Sequence, residues 1–380
     1  MAPDIGSFPE PPAARIGQDP REPYGWIAEP TGELIGLLDA ERAYYEARTA
    51  PLGKLRAVLA AEMTARVPDR SESAPWQAGA FTYRNVHEVG AEFPALVRRV
   101  GVGPDGDGPD ETVIDLQAIA EAHPGAEFHP GELHASPDGT VLAWSYDVVG
   151  DERYRLRFRD LRTGTDLSEV IEATIPTGGW SADGTTYLYL RTDSVNRPHQ
   201  VWAHLLGTDP AADRLVFTEP DERFDVRIDV TRSGAWFVIT AWSRNTSEVH
   251  LLSTANPTAP PILVRPREHL VEYSVEHAPG PSDRFLIVTN LNAESFRIAT
   301  APVDAPGDWS DYVSEDPATR INRADAFGSA VVVSARRDGV GMVTVRPYNA
   351  EAYDIWPDVP GGLVTLGRNE VFDADFVTVI

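Results

Sequence analysis

The chain has 380 residues, 42% of them hydrophobic, and its 58 acidic against 33 basic residues give a formal net charge of -25. That balance excludes nucleic acid as a main partner, because phosphate contacts need a basic footprint; the lack of cysteine excludes a disulfide framework, a thiolate metal site and a cysteine nucleophile. No run approaches the roughly 18 apolar residues of a membrane span, and no basic segment with an apolar core opens the chain, so the expectation is a cytoplasmic protein with no membrane partner.

Residues 1 to about 30 are rich in Pro, Gly and acid and read as an extended arm. From Glu33 to Val67 the apolar period becomes helical: Leu34, Leu37, Leu38 and Tyr45, then Leu52, Leu55, Leu59 and Met63, with Pro51 near the break. Two helices are predicted in an arm over residues 1–75, with an apolar stripe that needs a surface to pack on. Strands begin near Phe81-Thr82-Tyr83-Arg84-Asn85-Val86 and Phe93-Pro94-Ala95-Leu96-Val97.

A unit then recurs. Ser136-Pro137-Asp138-Gly139 precedes Val141-Leu142-Ala143-Trp144 and, after a turn at Gly150-Asp151, Tyr154-Arg155-Leu156-Arg157-Phe158. Pro presets its own φ and Gly supplies a positive one, so each copy reads as a hairpin; in the second run Tyr154, Leu156 and Phe158 alternate with Arg155, Arg157 and Arg159, a half-buried strand with one face packed and the other wet. Ser181-Ala182-Asp183-Gly184 heads a second copy, Ser233-Gly234 a third, Ser282-Asp283 a fourth and Gly328-Ser329 a fifth. A period of about 40 to 50 residues with several strands per repeat predicts a β-propeller. With the first unit and a partial one at Leu363-Val364-Thr365-Leu366, the reading is an all-β, seven-bladed β-propeller over 76–380 whose last blade is incomplete. The chain stops on Phe376-Val377-Thr378-Val379-Ile380, an apolar run that reads as the front part of a longer protein.

The motifs that carry chemistry elsewhere fare poorly. Gly101-Val102-Gly103-Pro104-Asp105-Gly106 has the dinucleotide spacing but is followed by Asp107, Gly108, Pro109 and Asp110 instead of a helix, so it reads as a hairpin loop. The acids Asp105, Asp107, Asp110 and Glu111 do not have the spacing of a calcium loop. His123, His129 and His134 match no zinc pattern, and Pro124 and Pro130 break any helix there. Ser181 is in Gly-Trp-Ser-Ala-Asp-Gly, where the second Gly comes one residue late for a nucleophile elbow, and reads as a turn serine. Arg155, Arg157 and Arg159 read as the charged protection of an outer strand. No catalytic, cofactor-binding or metal-ligating residue is assigned.

Glu22-Pro23-Tyr24-Gly25-Trp26-Ile27 resembles an N-terminal signature of the prolyl oligopeptidase family. Arg197-Pro198 with Val201, His204 and Gly207, then Asp221-Glu222-Arg223-Phe224, Thr246-Ser247-Glu248-Val249 and Glu272-Tyr273-Ser274-Val275-Glu276-His277, in that order, resemble its oligopeptidase B branch. The resemblance implies a serine peptidase of two parts. A propeller gates short basic peptides, and an α/β-hydrolase domain, with which the helical arm packs, carries Ser, His and Asp and cleaves after Arg or Lys. None of that triad falls within these residues, so the chain alone is expected to be inactive. Glu127 is the acid that the resemblance places near the domain interface. Ile27-Ala28-Glu29-Pro30 departs from the usual Leu-Glu-Asp continuation. The rival readings are a free-standing propeller that binds or scaffolds without catalysis, and a propeller lyase or glycosidase with paired carboxylates at its mouth.

Overall fold

In the computed structural model of the chain, which describes residues 25–28, 32–101, 107–374 and 376–380, one set of hydrogen bonds builds the repeated turn. Gly139, at φ 68°, donates its N–H to Ser136 O at 2.8 Å; the Ser136 hydroxyl donates to Asp138 Oδ1 at 2.6 Å and accepts from Val141 N at 3.0 Å. Ser181 repeats the pattern, donating to Asp183 Oδ1 at 2.6 Å and accepting from Thr186 N at 2.9 Å. It is therefore a turn serine. In the third copy Thr231 takes the serine's place, its carbonyl accepting from Gly234 N at 2.7 Å and its hydroxyl from Trp236 N at 3.2 Å.

These turns join the first two strands of small antiparallel sheets. Trp76–Ala78, Phe81–His87, Ala95–Val100 and Asp107–Asp115 form the first, with Ser71–Glu72 added at its edge. His129–Ala135, Val141–Asp147, Tyr154–Asp160 and the start of Thr165–Trp180 form the second; the end of that 16-residue strand opens the third, with Thr186–Thr192, Pro198–Leu205 and Arg214–Thr218. The strand bends at Ala173, whose φ of 57° is uncommon for a residue with a Cβ. The fourth, fifth and sixth sheets are Asp225–Val230 to Ile262–Arg265, Tyr273–Ala278 to Ser310–Val313, and Thr319–Ala326 to Tyr353–Ile355, each of four strands in sequence order. After them comes a ribbon in which Leu366 bridges Val379 and Thr365 N donates to Ile380 O at 2.9 Å.

The apolar clusters alternate with the sheets. Leu96 and Ile114 of the first meet Leu142 and Trp144 of the second; Phe158 meets Tyr187 and Tyr189 of the third; Leu188 and Leu190 meet Val226 and Phe237 of the fourth. Val249 and Leu251 meet Tyr273 and Ile287 of the fifth, Leu286 and Val288 meet Val331 and Val333 of the sixth, and Val343 and Val345 meet Leu366 and Val379 of the ribbon. The strand after the turn is buried on both faces, with Tyr187, Leu188, Tyr189 and Leu190 all 0% exposed, whereas Tyr154–Asp160 shows the expected alternation, Leu156 and Phe158 buried and Arg155 exposed. The reading of the arginine stripe as an outer strand is corrected. Tyr154–Asp160 is paired on both sides, and Arg155 and Arg159 form ion pairs with Glu172 and Asp166 while Arg159 also lies over the Trp144 ring at 5.5 Å.

The chain divides into two compact units, Met1–Asp69 and Arg70–Ile380, and the sheets lie in the second. In the first, helix α1 (Gly32–Thr49) and helix α2 (Gly53–Thr64) are separated by a 3-10 turn at Ala50–Leu52, which contains Pro51. No helix is long and apolar enough to cross a membrane among the described residues. The Glu22-Pro23-Tyr24 part of the signature and the glycine-rich loop at 102–106 lie outside the described residues.

Ser181→Ala leaves the half-buried Thr186 N–H without its acceptor. It is expected to lower unfolding free energy by about 1–3 kcal/mol, read as a shift in the urea midpoint at unchanged slope.

Candidate functional site

Each sheet places its first strand on one common cavity of about 660 Å³. Trp76 comes from the first sheet, His134 from the second, Thr177 and Trp180 from the third, Asp229 and Thr231 from the fourth, Glu276 from the fifth and Arg323 from the sixth, while the ribbon adds Arg368 and Glu370. First strands that converge in this way define a channel along the axis of a propeller. Glycine lets its walls close up: a Cβ on Gly179 would stand 2.6 Å from Val230 Cγ2, so the third sheet reaches the fourth because that position has no side chain. Arg368 lies 3.7 Å over the Trp76 ring and pairs with Glu370 at 2.6 Å, joining the ribbon to the first sheet.

Charge in the channel is balanced, with Arg232, Arg323 and Arg368 facing Asp229, Glu276 and Glu370. Burial raises the Glu276 carboxyl to about 7, although His277 N at 2.8 Å and Arg232 N at 3.0 Å both donate to its Oε1 and oppose the rise. Burial also pushes Glu132, on the strand that carries His134, up to about 8, opposed by the Tyr187 hydroxyl, and its Oε2 lies 3.6 Å from His134 Nδ1. His134 is held below its ordinary value, again by burial, and its Nδ1 lies 2.9 Å from the Tyr187 hydroxyl. Burial thus favours the neutral form of both groups.

The three histidines read from the sequence are not assembled into a site. His123 Nδ1 bonds Ile119 O at 2.9 Å, His134 faces the channel, and no metal-holding group of three His, Asp or Glu occurs among the described residues. Glu127 is exposed in the loop before His129–Ala135, against the turn at Gly150, and is not among the residues that line the channel.

One arrangement escaped the sequence reading. Ser233 Oγ lies 2.8 Å from His277 Nδ1, and His277 Nε2 lies 2.8 Å from Asp283 Oδ1, which is the connectivity of a catalytic triad. Ser233 lines no cavity described above, and its oxygen also accepts from Ala235 N at 3.3 Å and meets the Thr231 hydroxyl at 3.0 Å. The Asp283 carboxylate is 63% exposed, unlike the buried orienting acid of a triad. These bonds tie the turn of the fourth sheet to the fifth. The parts were visible separately, as Ser233-Gly234, His277 and Ser282-Asp283, but nothing in their spacing brings them together.

The fold and its axial channel define a propeller domain. The chain belongs to the prolyl oligopeptidase family: residues 8–376 match the model of its N-terminal β-propeller domain. It is 29% identical over 364 residues to dipeptidyl aminopeptidase BI of Pseudoxanthomonas mexicana, covering 90% of this chain and 49% of that protein, and 27% identical over 361 residues to protease 2 of Moraxella lacunata, covering 94% and 51%. The chain spans about half the length of the curated relatives it matches. Among solved structures, oligopeptidase B from Leishmania major matches with a TM-score of 0.85 at 23% identity, covering 98% of this chain and 53% of that one. The antipain-bound closed form of oligopeptidase B from Trypanosoma brucei has the same score and identity, covering 56% of that chain.

The raised carboxyls make stability depend on pH in one direction. A carboxyl whose folded value lies above the ordinary 4.5 stabilises fully below that value, and the contribution is lost as pH rises through about 8 for Glu132. Glu132→Gln is therefore expected to gain stability relative to the wild type between about pH 5.5 and pH 8.5, by on the order of 2 kcal/mol, in paired urea titrations. A difference that does not change with pH would count against a protonated Glu132.

Proposed function

We propose that this chain is the propeller portion of a serine peptidase that acts on short peptides, and that its channel sorts substrates by size for an α/β-hydrolase domain. The observation that carries the reading is the common cavity formed by the first strands of all six sheets, in a chain of this family. On this reading the ribbon from Leu363 to Ile380 starts a seventh blade, and the chain works as a soluble cytoplasmic enzyme's front half. Ile35, Leu38, Leu55, Leu59 and Met63 of α1 and α2 are exposed, which supports an arm that packs with the hydrolase domain. Glu127, exposed in its loop, is the acid proposed for the interface between the two domains.

The chemistry is acyl transfer in the hydrolase domain: a serine attacks the peptide carbonyl, histidine takes its proton, aspartate orients the histidine and backbone donors hold the oxyanion. Cleavage after Arg or Lys is the specificity proposed from the resemblance to oligopeptidase B. A second reading, removal of dipeptides from the N-terminus, is favoured by the 29% identity to a protein named dipeptidyl aminopeptidase BI.

The pure chain is expected to leave an Arg-ester and an Arg-amide substrate intact and to remain unlabelled by a fluorophosphonate; inhibitor-sensitive cleavage, or labelling at Ser233, would overturn the reading. The chain joined to its hydrolase domain is expected to cut a blocked short peptide after Arg or Lys. Cleavage of peptides with a free N-terminus, and not of blocked ones, would select the dipeptidyl reading.

A further inference from the structure

Glu276 meets the channel with one carboxyl oxygen used and one free. It lies on Tyr273–Ala278, the first strand of the fifth sheet, and lines the common cavity. Its Oε1 accepts from His277 N at 2.8 Å, on the same strand, and from Arg232 N at 3.0 Å, on the turn of the fourth sheet. Those two donors fill both lone pairs of that oxygen and hold the carboxyl in place. Oε2 makes no hydrogen bond among the described residues and is not sealed from solvent, so it opens on the channel.

No ion pair holds the carboxyl among the described residues, because the groups around it are engaged elsewhere. The Arg232 guanidinium turns to Asp325 Oδ1 at 2.6 Å, and Arg323 Nη2 reaches the same oxygen at 2.8 Å. His277 is held between Ser233 and Asp283, Asp229 lies 3.7 Å from Arg227, and Arg368 pairs with Glu370. Burial and the Asp325 carboxylate favour the neutral acid, the two N–H donors and the Arg232 charge oppose it, and the carboxyl is raised to about 7. In the neutral acid the proton belongs on Oε2, since an oxygen that already accepts two N–H bonds has no lone pair left to carry it. Oε2–H is then a donor that opens on the channel. A peptide supplies the acceptor whatever its side chains, because each residue carries a backbone carbonyl.

We propose, on the reading of the channel as a passage for short peptides, that Glu276 is a peptide-binding residue whose Oε2–H donates to a backbone carbonyl of the substrate. The contact is the same for every peptide sequence. It is lost when the carboxyl gives up its proton, because Oε2 is then an acceptor that repels a carbonyl.

The test measures the binding of acetyl-tetraalanine amide, an uncharged blocked peptide, to the 380-residue chain at constant ionic strength, from the line width of the acetyl methyl signal. The wild type is expected to bind about two- to tenfold more tightly at about pH 5.5 than at about pH 8.5, the range expected for one hydrogen bond. Glu276→Gln keeps an acceptor at Oε1 and puts an amide N–H in place of Oε2–H at any pH. It is expected to bind at both pH values as the wild type does at the lower one. Glu276→Ala is expected to bind at both as weakly as the wild type does at the higher one, and if it does not fold, the Gln variant carries the test. Equal binding by the wild type at the two pH values, or a pH dependence that survives in Glu276→Gln, would overturn the proposal and leave the channel as a peptide passage. Failure of every protein to bind the peptide at either pH would overturn both.

Discussion

Neighbouring sheets of this propeller are, with one exception, not joined by a strand ladder, so everything depends on what crosses the gaps between them. Apolar side chains fill those gaps, but packing alone is non-directional and does not fix the angle at which one sheet meets the next. Direction comes from polar bonds that cross each gap. Arg98 Nη1 donates to Gly139 O at 2.6 Å between the first and second sheets, Trp180 Nε1 to His134 O at 2.9 Å between the third and second, and Thr177 Oγ1 to Ile228 O at 3.2 Å between the third and fourth. Ser247 Oγ donates to Tyr273 O at 2.9 Å between the fourth and fifth, and Ile321 N to Ser295 O at 3.1 Å between the fifth and sixth. Because these groups are buried or half-buried, breaking one strands its partner, so each tie defines a geometry more sharply than its net energy suggests.

The turn at Thr231 to Gly234 concentrates this logic. Arg232 N and Ser233 Oγ bond to Glu276 and His277 of the fifth sheet, while the Arg232 guanidinium reaches Asp325 of the sixth and lies 4.5 Å over the Phe327 ring. Three sheets thus meet at one four-residue turn, beside the axis. A serine and a histidine that would mean catalysis in an open cleft serve here as a fastening, since the serine is engaged from several sides and the acid faces solvent.

The repeat was legible in the sequence because its turn demands particular residues: a hydroxyl to accept the N–H two residues past the glycine, and a glycine at positive φ. Thr231 escaped notice because threonine meets the first demand as well as serine does, which a search for serine misses. The double-sided burial of the strand after the turn was harder to see, since Tyr187-Leu188-Tyr189-Leu190 shows no alternation, while the arginines of Tyr154–Asp160 mark a half-buried strand and pair with acids on the next one. The motifs that carried the family resemblance turn out to be fastenings too. Arg197 donates to Phe224 O at 2.8 Å, and Arg267 pairs with Glu248 at 3.0 Å while lying over Phe224 at 4.1 Å. The channel itself was not legible, because Trp76, His134, Glu276 and Arg368 are far apart in sequence and meet through the ring alone.

The channel bears on how such a propeller could select peptides. On the proposed reading, the net negative charge of the chain would attract cationic peptides within a screening length of about 8 Å at physiological salt. At the wall the argument changes, because acids stand beside the arginines and burial raises the Glu276 carboxyl to about 7. A wall of mixed charge, on that reading, offers a passing lysine or arginine little net attraction. Discrimination along the channel, on the same reading, falls to its width, and Trp76, Trp180 and the ribbon are among its lining. On the proposed reading, preference for a basic side chain belongs to whatever pocket receives it at the reacting bond, a division in which the propeller would sort by size and a hydrolase domain by charge.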